Sequence, residues 1–447
     1  MFFLSVVHPV RLIRRVATAA LLLHTAVPLW AAESASLPLS LPEAQRLAAD
    51  RSPQLVAQDA VTRAAREMAV SAGQLPDPVL KLGIDNLPVT GSDSLSLTRD
   101  FMTQRRIGFA QELPREKKRK LKTERYERDA QRAQAQRQLA LAGIQRDSAL
   151  AWLERYYAQA MRTLLQQQLE ETRLQAHDAD IAFGAGRGAQ ANVFAARAAL
   201  IELEDRLSQI ERQARSAGLQ LVRWIGADAD RPLAGQAAWQ SSTLDLPLST
   251  GQLRQYPQLA VLAAQVDAAE TEARLAQANT SADWTVEAAY QQRGPAFSNM
   301  VSIGVSIPLQ WDQKNRQNRE IAAKLALVEE ARANYEDTLR TYEAEVRSLV
   351  NDWQTGKERA ARYTTQLIPV AGQRSEAALT AYRIGKSDLA SALAARRDEI
   401  NTRIQALTLE LETARLWAQL NYLTPDKAPA NATETATTRP IFLKNHP

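Results

Sequence analysis

Apolar positions along this chain change their period in a fixed order, and the order occurs twice. Residues 41–73 and 251–279 are Ala-rich and polar on one side, which predicts a helix in each. Period two follows. Trp284, Val286, Ala288 and Tyr290 alternate with Thr285, Glu287, Ala289 and Gln291; beyond Arg293-Gly294-Pro295, Val301, Ile303, Val305 and Ile307 alternate with Ser302, Gly304 and Ser306. This predicts a β-hairpin over 284–309 with one apolar face and one small or polar face. Leu80, Leu82 and Ile84 alternate with Lys81, Gly83 and Asp85, and Ile107 and Phe109 with Gly108 and Ala110, so a second hairpin is expected over 79–111, weaker in its return strand. Two settings fit such strands equally: a bilayer-crossing barrel and a small soluble β-domain.

After each hairpin the pattern becomes helical. Residues 115–183 and 313–384 hold almost no Gly or Pro, with Pro369 and Gly372 as the main interruption of the second. Each predicts a helix of about 100 Å if continuous. A Gly-containing turn follows, then a further helix over 188–226 and 387–423. Val193, Leu200, Leu203, Leu207, Ile210, Ala214, Ala217, Leu221 and Trp224 carry coiled-coil spacing. Ile321, Leu325, Val328, Tyr335, Leu339, Tyr342, Val346, Leu349 and Trp353 nearly repeat it, with Arg332 on the missed position. Such narrow seams predict antiparallel hairpins that pack laterally rather than around a globular core.

The two runs echo each other in detail. Ser52-Pro53-Gln54-Leu55 returns as Tyr256-Pro257-Gln258-Leu259, and Phe183-Gly184-Ala185-Gly186-Arg187 as Tyr382-Arg383-Ile384-Gly385-Lys386. The reading is a duplicated unit, 33–226 and 251–425, joined by a linker over 227–250 and followed by a disordered Ala/Thr/Pro-rich tail over 426–447.

Composition narrows the chemistry. The chain has no cysteine, which excludes disulfides, thiolate metal sites, thiol nucleophiles and lipid attachment to Cys. Arg11, Arg14 and Arg15 precede an apolar run from Val16 to Trp30 and then Ala31-Ala32, so residues 1–32 read as a secretory signal; an N-terminal membrane anchor is the alternative. Their removal takes three arginines and no acid, lowering the net charge from +5 to +2. The strongest remaining cluster is Arg115-Glu116-Lys117-Lys118-Arg119-Lys120-Leu121-Lys122. Export and the lack of interleaved aromatics argue against nucleic acid. A collar against lipid phosphates and a solvated helix start both fit.

No catalytic constellation emerges. Beyond the signal only His177 and His446 remain, far apart, so no metal cage and no cofactor are expected. Asp178 and Asp180 fit a solvated helix face. Phe183 to Gly188 looks superficially like a phosphate loop, but it follows a helix, and its echo at Gly385 makes both helix-to-helix turns.

The order of elements, the aromatic-x-x-Gly turns at Phe183–Gly186 and Tyr382–Gly385, Gln111-Glu112-Leu113-Pro114, Ser306-Ile307-Pro308-Leu309 and the end Leu420-Asn421-Tyr422-Leu423-Thr424 resemble the outer-membrane efflux (TolC-like) family over about 37–425. Gln74-Leu75-Pro76-Asp77-Pro78, then Asp85-Asn86-Leu87-Pro88-Val89, followed by Gln111-Glu112-Leu113-Pro114, resemble its heavy-metal (CzcC-like) branch. The resemblance implies a mainly α fold with a small β part. Long helical hairpins would form a periplasmic tunnel, and two β-hairpins per chain would build a 12-stranded transmembrane barrel in a homotrimer. It implies a non-enzymatic channel in the outer membrane of a Gram-negative bacterium, taking substrates from a periplasmic adaptor and an inner-membrane RND-type pump. Phe183, Gly186, Arg187, Gly385 and Lys386 would be the tip that meets the adaptor, and Tyr382 with Asp388 the gate. Leu80, Leu82, Ile84, Trp284, Val286, Val301, Ile303, Val305 and Ile307 would face outer-membrane lipid. Ser391 and Ala394 stand where better-known members have an aspartate pair beyond the second turn, and Asn192 holds the equivalent site in the first half. Heavy-metal cations are the expected cargo, with organic compounds or secreted proteins as the alternative. A periplasmic adaptor or a secreted coiled-coil protein is the non-channel alternative.

Overall fold

The computed structural model describes residues 37–235, 238–242, 244 and 249–425. The expected signal segment and C-terminal tail lie outside the described residues, as do seven positions of the linker. The first half runs α1 (Leu41–Asp50), α2 (Pro53–Gly73), β1 (Val79–Asp85), β2 (Gln104–Leu113), α3 (Glu116–Gly184) and α4 (Gln190–Ile225). The second runs α5 (Thr250–Leu253), α6 (Pro257–Ala278), β3 (Trp284–Gln292), β4 (Met300–Ser306), α7 (Gln317–Arg362), α8 (Ile368–Arg383) and α9 (Leu389–Asn421).

Several expected boundaries are corrected. The helices expected over 41–73 and 251–279 are each two. Pro53 and Pro257 open the second member of each pair, and the residue before a proline is pushed out of the α region. Ser52 caps α2, its hydroxyl accepting from the Leu55 amide at 3.4 Å. The return strand β2, expected to be weak, is the longer of its pair at 10 residues. β4 ends at Ser306, so Ile307 lies just past the strand, before a proline that cannot donate to a ladder. Helix α7 starts at Gln317, not 313, because residues 311–316 form turns.

The sheet is antiparallel with order β1-β2-β3-β4. Its central pairing, β2 with β3, joins the two halves, with Phe109 opposite Ala288 and Leu113 opposite Trp284. Beneath it, α2 packs on α3, α3 on α6 and α6 on α7. The helices therefore continue the lateral order of the strands they connect to. β1 with α2 makes one side and β4 with α7 the other.

α3 is one helix of 69 residues. Its counterpart is interrupted by a π turn at Tyr363–Leu367. Thr364 and Thr365 donate their hydroxyls back to the carbonyls of Ala360 and Ala361, at 3.0 and 2.7 Å, and Pro369 brings no amide to the next turn. All three loosen the normal helical ladder. The α7 seam also shifts by one residue. Ala331, not position 332, is buried, Leu325 is exposed, and Arg332 points out to pair with Glu270 at 2.6 Å.

The main core is a belt where both halves and the linker meet. Trp152 of α3, Trp353 of α7 and Trp417 of α9 are buried there with Leu39, Trp239, Tyr342 and Tyr422. The three helical indoles each donate their N–H to a main-chain carbonyl: Trp152 to Leu39 at 3.1 Å, Trp353 to Trp239 at 2.8 Å and Trp417 to Ser241 at 2.8 Å. Rings of this size bury large areas while their single polar atom stays satisfied. The connecting segment thus packs into the core through Trp239, and is more than a spacer.

Candidate functional site

The alternation of the strands becomes two chemically opposite faces. Register places Leu80, Phe109, Ala288 and Ile303 in one row, and Leu82, Ile107, Tyr290 and Val301 in the next. Gln111, Val286 and Val305 make a third row, and Trp284 lies opposite Leu113. These side chains are mostly bare; Ile303 is 78% exposed. Of the residues expected on this face, Leu80, Leu82, Ile84, Trp284, Val301, Ile303 and Val305 are exposed strand residues, Val286 is half-buried, and Ile307 is exposed just beyond β4.

The opposite face, expected to be small or polar, is linked by ion pairs that the alternation alone does not show. Lys81 reaches Glu287 at 2.5 Å, and Arg106 lies 3.3 Å from Asp85 and 3.8 Å from Glu287. Gln291 donates to the Ser302 hydroxyl at 2.6 Å. The charged ladder crosses three strands because the intervening residues are small: Gly108 and Ala289 share the row of Lys81. The residues between the apolar ones in an alternating strand carried this signal.

The basic run at the start of α3 is mostly used internally. Lys118 is buried and pairs with Asp283 at 2.8 Å. Arg115 donates to the Ala282 carbonyl at 3.3 Å, Arg119 to that of Gly73 at 3.1 Å, and Lys120 pairs with Glu116 at 2.6 Å. The bonds of Lys118, Arg115 and Arg119 pin the strand-to-helix junction to the segment before β3 and to the end of α2. Lys117 and Lys122 stay exposed.

At the far end of the hairpins the two turns have the same geometry. The Arg187 amide donates to the Ala182 carbonyl and the Gly186 amide to that of Phe183, both at 2.9 Å; Lys386 to Ala381 and Gly385 to Tyr382 repeat both bonds and distances. Gly186 has φ +72° and Gly385 φ +74°, the left-handed conformation that closes a helix in this way. Phe183, Arg187 and Lys386 are exposed. Tyr382 is half-buried against a cluster of Ala176, Ala179, Val193, Ala196 and Leu389, which brings both hairpins together. Asp388 caps α9, accepting from the Ser391 amide at 2.8 Å, and bonds from Ser391 hold its carboxyl below the usual range. No atom lies within 4 Å of a β-carbon added at Gly186 or Gly385, so only backbone strain opposes substitution there. Gly385→Val is expected to cost about 1–2 kcal/mol and Gly385→Asn clearly less, since asparagine tolerates this region. Calorimetric melting of the two variants checks the order.

Farther up, a buried polar strap joins the hairpins. Glu399 of α9 is 3% exposed. Arg396 bonds it at 2.6 Å, Arg403 bonds it at 2.8 Å, and Arg396 also reaches Glu171 of α3. Burial alone would raise the Glu399 carboxyl. Arg396 beside it, with bonds from Arg396, Arg403 and Ser375, outweighs burial and holds it low. Nothing in the sequence spacing announced this strap, because Glu171 and Arg396 lie on helices from different halves.

Residues 250–424 match the family model described as outer membrane efflux protein. Solved channels align over most of the chain. The CmeC outer membrane channel of Campylobacter jejuni has a TM-score of 0.72 at 13% identity, over 86% of this chain and 85% of its own. The outer membrane protein VceC of Vibrio cholerae has 0.69 at 19%, over 86% and 95%. The MtrE outer membrane channel of Neisseria gonorrhoeae has 0.70 at 15%, over 87% and 90%. The fold is that of the outer-membrane channels. No curated protein matches the sequence itself. Among the described residues no helix is long and apolar enough to cross a membrane.

Proposed function

We propose that the chain is the outer-membrane channel of a tripartite efflux system. The observation that carries the reading is the two-faced sheet: bare aliphatic rows on one side, an ion-paired ladder on the other. Apolar strands toward lipid and charges toward a lumen are what a membrane barrel requires. β1 and β4 are unpaired edges, and edges do not persist in a bilayer. Three copies, four strands each, close them into a 12-stranded barrel, and α2, α3, α6 and α7 continue as the tunnel wall in the periplasm.

The exposed turns at Phe183–Arg187 and Tyr382–Lys386 are the surface offered to a periplasmic adaptor, which links the channel to an inner-membrane RND-type pump. Tyr382 with Asp388 serves as gate. α8 packs chiefly on α9 and begins at the π turn, whereas α3 is continuous, so α8 is the element free to swing. Heavy-metal cations are the proposed cargo, supported by the 74–89 and 111–114 segments; selection rests with the pump.

Fractionation tests the channel. The protein should need detergent for extraction and should migrate unheated as a trimer that boiling converts to monomer. A soluble monomer would reject the reading. A deletion strain should then lose tolerance to zinc, copper or cobalt but not to organic dyes; the reverse pattern replaces the cargo and keeps the channel.

A further inference from the structure

We propose that the helix-side rim of the sheet is a binding collar for the headgroups of anionic glycerophospholipids, a proposal that rests on the channel reading above. Two independent observations meet there. The first is aromatic. The outward row of β4 continues past the strand at the same parity through Ile307, Leu309 and Trp311, and Trp311 is 87% exposed. The segment carrying it is not loose. Gln310 donates to the Asn279 carbonyl at 3.0 Å and Gln313 to that of Thr280 at 3.5 Å. Trp284, half exposed, stands at the same end of the adjoining strand. An indole held bare at the end of an apolar band fits the glycerol and carbonyl level of a bilayer.

The second observation is charge. Most of the basic run after β2 is tied up internally, which leaves Lys117 and Lys122. The start of the helix after β4 supplies Lys314, Arg316 and Arg319. All five are exposed, and among the described residues none has a side-chain hydrogen bond or ion pair. Lys117 and Lys122 lie within ten residues of the end of β2, and Lys314, Arg316 and Arg319 within about four helical turns of the end of β4. Cations just beyond an aromatic girdle sit at the depth of the phosphates. The collar is on the helix side, so its leaflet is the periplasmic one, built of glycerophospholipid.

Native mass spectrometry of the detergent-extracted protein, given equal phosphatidylglycerol and phosphatidylcholine, tests this. Wild type should retain phosphatidylglycerol at least fivefold over phosphatidylcholine, about the effect of one cation at an anionic surface. The variant K117Q/K122Q/K314Q/R316Q/R319Q should keep the trimer and lose the preference. Trp311→Ala should lower retention of both lipids alike. A wild-type trimer holding both lipids equally, or a five-fold glutamine variant with its preference intact, overturns the collar alone. A wild-type protein that takes up neither lipid and forms no heat-modifiable trimer overturns the channel reading with it.

Discussion

Gly108→Val should abolish assembly: no heat-modifiable trimer, and little full-length protein in the outer membrane. A β-carbon at this position would lie 2.8 Å from the Ala289 β-carbon, 3.0 Å from the Ala288 carbonyl oxygen and 3.3 Å from the Ala289 α-carbon. Two of those atoms are main chain and the third is fixed to it, so no rotamer change relieves the contact. The position lies in the β2–β3 pairing, the seam that joins the two halves of the sheet. Valine's further methyl groups would also stand under Lys81 where it crosses toward Glu287. Overpacking costs about 1–3 kcal/mol in a well-supported core. A four-stranded sheet with two open edges has less to spare. Gly83→Val is the control. It lies on the same polar face, but its added β-carbon meets only Asp85 Oδ1, at 3.9 Å. Immunoblots of unheated outer membranes should show the Gly83 variant near normal and the Gly108 variant absent. A normal trimer from Gly108→Val would mean that β2 and β3 do not pair as described.

That contrast marks what a single sequence reveals. Strand parity was legible, because period two assigns each residue to a face without knowing its neighbours. The glycine turns were legible too, since few residues adopt φ near +70° and the motif occurs twice. The partner of each strand was not. Gly108 and Ala289 are distant in sequence, and only register shows why both must be small. The basic run after β2 was misleading for the same reason. Its density suggested a surface, yet Lys118 is buried against Asp283, which lies in the other half. The missed position at Arg332 was visible as a flaw in the seam; its repair by Ala331 needed the helix phase. The breaks before Pro53 and Pro257 were readable from the prolines alone, but the apolar pattern on either side obscured them.

Arg396→Leu should give the largest functional effect: a channel that leaks without its pump. Arg396 serves two carboxylates at once, Glu399 within α9 and Glu171 across on α3. Losing it removes the ion-paired tie between the second hairpin and α3, leaving the apolar clusters to hold the two together in the half of the molecule nearest the turns. It also leaves Glu399, almost wholly buried, with Arg403 as its remaining cationic partner. Breaking a fully buried pair costs about 3–5 kcal/mol; Arg396 is a quarter exposed, so about 2–3 kcal/mol is expected. The pH dependence has a definite sign. Glu399 titrates below its unfolded value of 4.5, so its stabilisation is complete above that value and fades as pH falls through the folded one. Without Arg396 the folded value rises, and the loss on acidification should begin at higher pH. Uptake of a large hydrophilic antibiotic by cells lacking the pump should rise at least tenfold in Arg396→Leu. In Glu171→Gln the rise should be smaller, because Glu399 then keeps both arginines. Unchanged uptake together with an unchanged melting curve would show that the strap does not hold the hairpins closed. Lower melting with unchanged uptake would make it a stabilising contact with no part in gating.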